Sequence, residues 1–176
     1  MSVIPSLPAD IAEPAELVAA IRARRGGGLF NLDRMLLHSP AIAKGWNVFM
    51  GAVRTELSVS PKLGELAICV VAVLNGAEYE FIHHAPIFRN AGGTEAQISA
   101  LRDPAAAAVS PLFTPLEQNA IRLTIAMTRD LKVDDALTTE LRAHMPTDQA
   151  LVELIGTIAA YNMVSRFLVA TGITPE

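Results

Sequence analysis

A segment of ten residues, 75–84, carries most of the side chains in this chain that could do chemistry. It reads NGAEYEFIHH and combines carboxylic acids, a phenol and imidazoles in an otherwise apolar region. If the segment is helical, Glu80 and His84 lie four residues apart and project from the same face. A carboxylate beside an imidazole orients the ring and raises its basicity, which prepares it for proton transfer. This pair is the leading candidate for acid/base chemistry.

Glu65 is a third candidate acid. The apolar pattern predicts two helices joined at Asn75-Gly76 as a hairpin, which can bring Glu65 close to Glu80 and His84. In apolar surroundings the proton affinities of such a cluster would be shifted, as in many catalytic sites. Two structural interpretations stay open: Glu65 as an acid near a helix N-terminus, and Glu80 with His84 as an exposed surface pair.

The other reactive side chains of this region have weaker cases. His83 points about 100° away from His84 on a helix, which favours a surface or interface position. Cys69 lies one turn after Glu65 and can face the same cleft, although a buried structural role is commoner for a lone cysteine. Glu65, Glu80 and His84 are possible metal donors, but a catalytic zinc site usually needs more histidine. We therefore expect neither a metal nor a cofactor.

Length and composition restrict the class of protein. A chain of 176 residues can form one domain with a sizeable core. Its 51% hydrophobic and 18% charged residues suggest apolar surface covered by other subunits, so we expect a homo-oligomer. No apolar run approaches the roughly 20 residues of a membrane span, and no basic stripe suits nucleic acid. The N-terminus lacks the features of a signal peptide, so a cytoplasmic location is expected.

The pattern of helix formers and helix-terminating residues predicts an all-α fold. Ser-Pro pairs at 39–40 and 60–61 and capping boxes beginning at Thr94 and Thr114 mark helix starts. Residues 103–111 are expected to be a connector, and Pro86 to kink or restart the helix that contains it. The predicted helices span residues 14–25, 32–37, 40–56, 61–74, 77–91, 94–101, 114–130, 134–143 and 147–171.

These motifs resemble the carboxymuconolactone decarboxylase superfamily, also called AhpD-like. The resemblance rests on Glu65, the 75–84 segment, Ala91-Gly92, the sequence LLHSP at 36–40 and the sequence YNMVSRF at 161–167. It covers about residues 29–172 and implies an AhpD-like orthogonal helical bundle that assembles into homo-trimers or homo-hexamers. The family-like domain would span residues 29–176, preceded by a helical extension over residues 1–28.

The resemblance also implies which chemistry the chain performs. Alkylhydroperoxidase members carry a Cys-x-x-Cys pair, whose positions fall here on Ala77 and Glu80, with a histidine at His84 and a glutamate at Glu65. Because both thiols are missing, the nucleophile for a peroxide is missing too. The decarboxylase branch would use His84 as general acid/base, Glu80 as its orienting carboxylate, Glu65 as a second relay acid and Tyr79 as a donor to the oxyanion.

The substrate implied by this resemblance is a small unsaturated molecule that carries a carboxylate or a lactone, converted without a cofactor. Two alternatives remain. One is a peroxidase-related protein that relies on Cys69 or an external thiol. The other is a structural or ligand-binding oligomer that has kept the fold and lost the chemistry.

Overall fold

Helices are the only regular elements of residues 4–176, the part of the chain that the structure, a computed structural model, describes. The expected all-α class is therefore confirmed. In chain order, the helices over these residues are α1 (Ala15–Arg25), α2 (Asn31–Leu36), α3 (Pro40–Thr55), α4 (Pro61–Asn75), α5 (Glu78–Asn90), α6 (Glu95–Ala100), α7 (Pro104–Ala107), α8 (Pro115–Arg129), α9 (Asp135–His144) and α10 (Asp148–Thr171).

Two compact units make up the chain. One runs up to Glu56 and includes residues 170–176, and the other is Leu57–Val169. The predicted division into an extension, 1–28, and a domain, 29–176, stays a prediction. The first three residues of that extension lie outside the described part of the chain.

In the first unit, a buried acid holds two arginines of the last turn of α1. Asp33 is 1% exposed, and its carboxylate accepts hydrogen bonds from Arg25 Nε at 2.9 Å and Arg25 Nη2 at 3.0 Å. Arg24 Nη2 lies 3.4 Å from the same carboxylate, and the Arg25 guanidinium covers the Phe30 ring. A buried charge needs such partners. These arginines therefore stabilise the unit from within.

The second unit is organised around α4, which is buried on nearly all sides. Every residue from 63 to 72 is buried, as expected for a helix that is apolar around its whole circumference. The Leu63 amide donates to the Ser60 hydroxyl at the first turn, and Gly76 ends the helix in a left-handed conformation, with φ 67°. This helix packs against α5 and α8. Side chains on α4 are thus held in the interior.

The predicted helix boundaries agree closely with the structure. Both capping boxes form: the Gln97 amide donates to the Thr94 hydroxyl at 3.1 Å and the Glu117 amide to the Thr114 hydroxyl at 3.3 Å. Two details differ. α5 continues through Pro86 without restarting, and the 103–111 connector contains the short α7, capped by Asp103.

Although no continuous apolar run in the sequence predicts a membrane span, one helix of the described residues, α10, is long and apolar enough to cross a membrane. Half of its most apolar window is buried within the structure, and Leu154 and Ile158 are completely inaccessible. A core helix has the same properties, so its composition is weak evidence for a membrane span.

A glycine after α5 gives a direct test of packing in the second unit. A Cβ at Gly93 would overlap the ring of Phe88, which is fully buried and cannot move into solvent. We expect Gly93→Ala to lower the free energy of unfolding by about 1–3 kcal/mol, measured by urea denaturation.

The matched control is Gly45→Ala within α3, where a Cβ meets nothing within 4 Å. This change should stabilise the protein by about 0.5–1 kcal/mol through helix propensity. If Gly93→Ala were no less stable than the wild type, the close packing of Phe88 on Gly93 would be wrong.

Candidate active site

The central contact of the site joins α4 to α5. His84 Nδ1 lies 2.6 Å from Glu65 Oε2, and the two side chains are only 13% and 7% exposed. A carboxylate can only accept a hydrogen bond, so the Nδ1 atom carries a proton and donates it. The basic or acidic position of the ring is then Nε2. The helix hairpin therefore produces an acid/base pair.

The carboxylate that holds His84 is not the one expected from spacing. The sequence predicts Glu80 as the orienting carboxylate, whereas the structure gives this hydrogen bond to Glu65. Glu80 instead turns towards α10, where its Oε1 atom accepts a hydrogen bond from Ser165 Oγ at 2.8 Å. The reason is tertiary: α4 lies beside His84, and α10 lies beside Glu80.

α10 contributes two side chains to the site in a regular pattern. Ser165 contacts Glu80, and the ring of Tyr161 meets His84 edge-on with centroids 4.9 Å apart. On α5, Glu80 and His84 lie four residues apart. Their partners on α10 also lie four residues apart but in reverse order, so the contacting segments run antiparallel. From the sequence, Tyr161 is expected to serve packing or subunit contact, and Ser165 has no assigned role. The signal for a place in the site is that residues 161 and 165 repeat the spacing of 80 and 84 within a buried stretch.

Glu80 is almost entirely enclosed, with 2% of its surface exposed. Its Oε2 atom has no hydrogen-bond partner among the residues that the structure describes. Burial raises the pKa of this carboxyl well above its usual range, the charge of Glu65 raises it further, and the Ser165 hydrogen bond partly opposes the shift. These effects favour the neutral, protonated form of Glu80 beside the carboxylate that holds His84.

Cys69 lies one helical turn beyond Glu65 and is completely buried. Burial is the main cause that raises the pKa of its thiol far above the ordinary value. The negative charge of Glu65 adds to the increase, ionised Glu80 would add more, and Arg102 opposes it. The cysteine therefore belongs to the cluster by position but is kept as an unreactive thiol.

Tyr79 and His83 form a local pair. Their rings stack with centroids 4.3 Å apart, and His83 Nδ1 donates to the carbonyl oxygen of Tyr79 at 2.7 Å. The structure thus places the predicted oxyanion donor, Tyr79, against the second histidine. This arrangement suits a supporting role for both residues.

An exposed ion pair covers another face of α5. Arg102 makes a bidentate contact with Glu78, at 2.7 and 3.0 Å, and its guanidinium lies 3.6 Å from the centroid of the Phe81 ring. The hydrogen bonds from Arg102 are the main cause that lowers the pKa of Glu78. Because Arg102 also acts on the Cys69 thiol, its positive charge reaches the buried cluster.

Within residues 4–176, no group of three or more His, Cys, Asp or Glu side chains is arranged so that it could hold a metal ion. The cluster can move protons and donate hydrogen bonds with its own groups.

Comparisons with known proteins bear on the family and the fold. Residues 40–126 match the model of the carboxymuconolactone decarboxylase family. A peroxidase-related protein from Silicibacter sp. TM1040 has a similar structure at 18% identity, with a TM-score of 0.82, 99% of this chain and 92% of that chain covered. The alkylhydroperoxidase AhpD core of a peroxidase-related protein from Ralstonia eutropha JMP134 is similar at 16% identity, with a TM-score of 0.84 and coverage of 99% and 92%.

A third similar structure is a cysteine-to-alanine variant of the debrominase Bmp8 in complex with 2,3,4-tribromopyrrole. It is 16% identical with a TM-score of 0.77, and 100% of this chain and 94% of that chain are covered. None of the curated proteins compared with the sequence matches it. Identities this low establish a shared fold.

The fold and the site together define an all-α protein of the AhpD-like type, with two glutamates and a histidine in its interior. By residues 40–126 the chain matches the carboxymuconolactone decarboxylase family, and its fold is that of AhpD-like proteins. The resemblance predicted from the sequence is thereby confirmed.

The neutral state of Glu80 gives a testable dependence of stability on pH. Because its pKa is higher in the folded than in the unfolded chain, folding takes up a proton there. The stability that this group contributes is complete below the unfolded pKa, about 4.3, and is lost as the pH rises through the folded pKa. Glu80→Gln stays neutral, so it should become progressively more stable relative to the wild type as the pH rises. Thermal melts across this range measure the difference.

Glu78→Gln on the same helix is the matched control. The pKa of Glu78 is lowered, so its contribution is present above the unfolded pKa and is lost as the pH falls. This variant should show a small trend of the opposite sign. A difference between Glu80→Gln and the wild type that did not change with pH would show that Glu80 is charged in the folded protein.

Proposed function

We propose that this protein is a carboxymuconolactone decarboxylase-like lyase. It would release carbon dioxide from a small unsaturated carboxylated or lactone-type substrate without a cofactor. The observation that carries the proposal is the Glu65–His84 hydrogen bond of 2.6 Å beside the enclosed, neutral carboxyl of Glu80. Such a cluster combines a charged proton-transfer pair with an uncharged hydrogen-bond donor.

The reaction needs a proton and a place for negative charge. The bond between the substrate carbon and its carboxylate breaks, carbon dioxide leaves, and the electron pair moves through the conjugated system onto the ester oxygen. A proton from His84 Nε2 then adds to carbon, and the ring regains a proton from water. In the overall reaction, one substrate carboxylate and one proton give one product molecule and one molecule of carbon dioxide.

Each cluster residue has a defined part in this proposal. Glu65 holds His84 and stabilises its imidazolium form, as a carboxylate does for a paired histidine. Glu80 stabilises the charge that develops on the ester oxygen, since a neutral acid can donate a hydrogen bond to it. Tyr161 limits rotation of the imidazole by packing against it. Compared with the roles expected from spacing, the two glutamates exchange roles: Glu65 orients His84, and Glu80 is the second acid.

A thiol peroxidase is the alternative enzyme, and the environment of Cys69 argues against it. A thiolate is the reactive form of cysteine, but burial and two nearby carboxyl groups oppose its formation here. The alternative of a non-catalytic oligomer is weakened by Glu80 Oε2, a costly unpaired atom that a purely structural site would have little reason to keep.

The proposal extends to assembly and location. Ile42, Val48 and Phe49 on α3 are exposed by 54%, 69% and 48%. Exposed apolar side chains on one helix favour a subunit contact, and we propose that the assembly is a homo-trimer or homo-hexamer. We place the oligomer in the cytoplasm, acting on a small molecule rather than on nucleic acid or a membrane.

Turnover of 4-carboxymuconolactone, followed by ultraviolet absorbance, tests the proposed activity. We expect the wild type to consume the substrate and His84→Gln to lower kcat by about 10²–10⁴-fold, the usual effect of removing a general acid. Cys69→Ala should retain activity, because the buried thiol takes no part.

His83→Gln is the matched control, since it alters the neighbouring imidazole that stacks on Tyr79. It should keep most of the activity. If His83→Gln and His84→Gln lost activity equally, the assignment of His84 would be wrong. If folded wild-type protein left the lactone unchanged, this substrate would be ruled out.

A further inference from the structure

We propose that Ser165 is a positioning residue that fixes the acid proton of Glu80 on Oε2 and makes this oxygen a hydrogen-bond donor to a carbonyl oxygen of the substrate. The inference rests on the proposed function for the identity of that substrate. The position of the acid proton on Oε2 in the substrate-free protein does not depend on turnover.

The geometry of the Glu80 carboxyl distinguishes its two oxygen atoms. Ser165 is fully buried, and its hydroxyl donates to Glu80 Oε1 at 2.8 Å. A neutral carboxyl has one hydroxyl oxygen and one carbonyl oxygen, and the carbonyl oxygen is the better acceptor. By donating to Oε1, Ser165 selects it as the carbonyl oxygen. The acid proton is then left on Oε2.

The Oε2 atom of Glu80, once it carries the proton, requires a hydrogen-bond acceptor. This atom is buried and has no hydrogen-bond partner among the described residues. A buried O–H group without an acceptor is unfavourable, so its position suits a ligand that brings one. The site already contains the Glu65 carboxylate, so a neutral donor there suits an uncharged carbonyl oxygen of the bound substrate. During the reaction the same donor would stabilise the enolate oxygen that forms from that carbonyl.

Neighbouring groups on three helices surround the Glu80 carboxyl and determine its protonation state. Glu65 and Cys69 approach from α4, His84 lies on the same helix, and Ser165 approaches from α10. Two carboxylates in one enclosed site do not both ionise readily. Since Glu65 is the partner of His84, Glu80 is the one that retains its proton. During the reaction it donates a hydrogen bond and keeps that proton, while His84 supplies the proton that adds to carbon.

Infrared difference spectroscopy of the substrate-free protein tests the proposal. At neutral pH we expect a carbonyl stretching band from a protonated carboxyl group, identified as Glu80 by its loss in Glu80→Gln. In Ser165→Ala the band should move to higher wavenumber, because the carbonyl oxygen loses its hydrogen bond. Ser165→Cys, a weaker donor of similar size, should give an intermediate shift and serves if Ser165→Ala does not fold.

The matched control is Thr157→Val, which removes another buried hydroxyl from the same helix. Thr157 donates to the carbonyl oxygen of Glu153 and not to the site, so the band should stay in place. Absence of the band at neutral pH, or a band unchanged in Ser165→Ala, would overturn the proposal. A band that behaves as expected in a protein that leaves the lactone unchanged would reject the proposed substrate alone.

Discussion

The hydrogen bond between Glu65 and His84 is the interaction on which the rest of the site depends. It joins α4 to α5 in the interior of the second unit, where the two side chains are almost completely enclosed. A buried charge of this kind is stable only with a partner held in good geometry. With Glu65 committed to the imidazole, a second charged carboxylate nearby is unfavourable. Burial is the main cause that favours the neutral form of Glu80 and the unreactive thiol of Cys69, and the charge of Glu65 reinforces both.

The helix arrangement serves this interaction at each step. α4 is buried around its circumference, so Glu65 and Cys69 have no route to solvent from their own helix. Gly76 permits the sharp turn into α5. α10 then supplies a polar contact to Glu80 and an aromatic contact to the histidine ring. The result is an enclosed cluster of groups that can exchange protons and form hydrogen bonds.

Helix positions could be predicted closely from the sequence because their signals are local. Thr94 and Thr114 cap helices through residues three positions away, and Gly76 ends one through its own backbone conformation. The partners within the site were harder to predict. A spacing of four residues puts Glu80 and His84 on one face but does not determine which helix packs against that face. Ser165 is 85 residues from Glu80 in the chain, and only tertiary packing brings them together.

The protonation state of His84 is the most direct test of this account. The chain has four histidines, so the ring nitrogens of His84 can be assigned in an ¹⁵N nuclear magnetic resonance spectrum by comparison with His84→Gln. We predict that Nδ1 stays protonated across the pH range in which the ring titrates, that Nε2 is the nitrogen that gains and loses a proton, and that Glu65→Leu abolishes this preference. A neutral ring with its proton on Nε2 in the wild type would contradict the account, because Glu65 would then not be holding the imidazole as a hydrogen-bond acceptor.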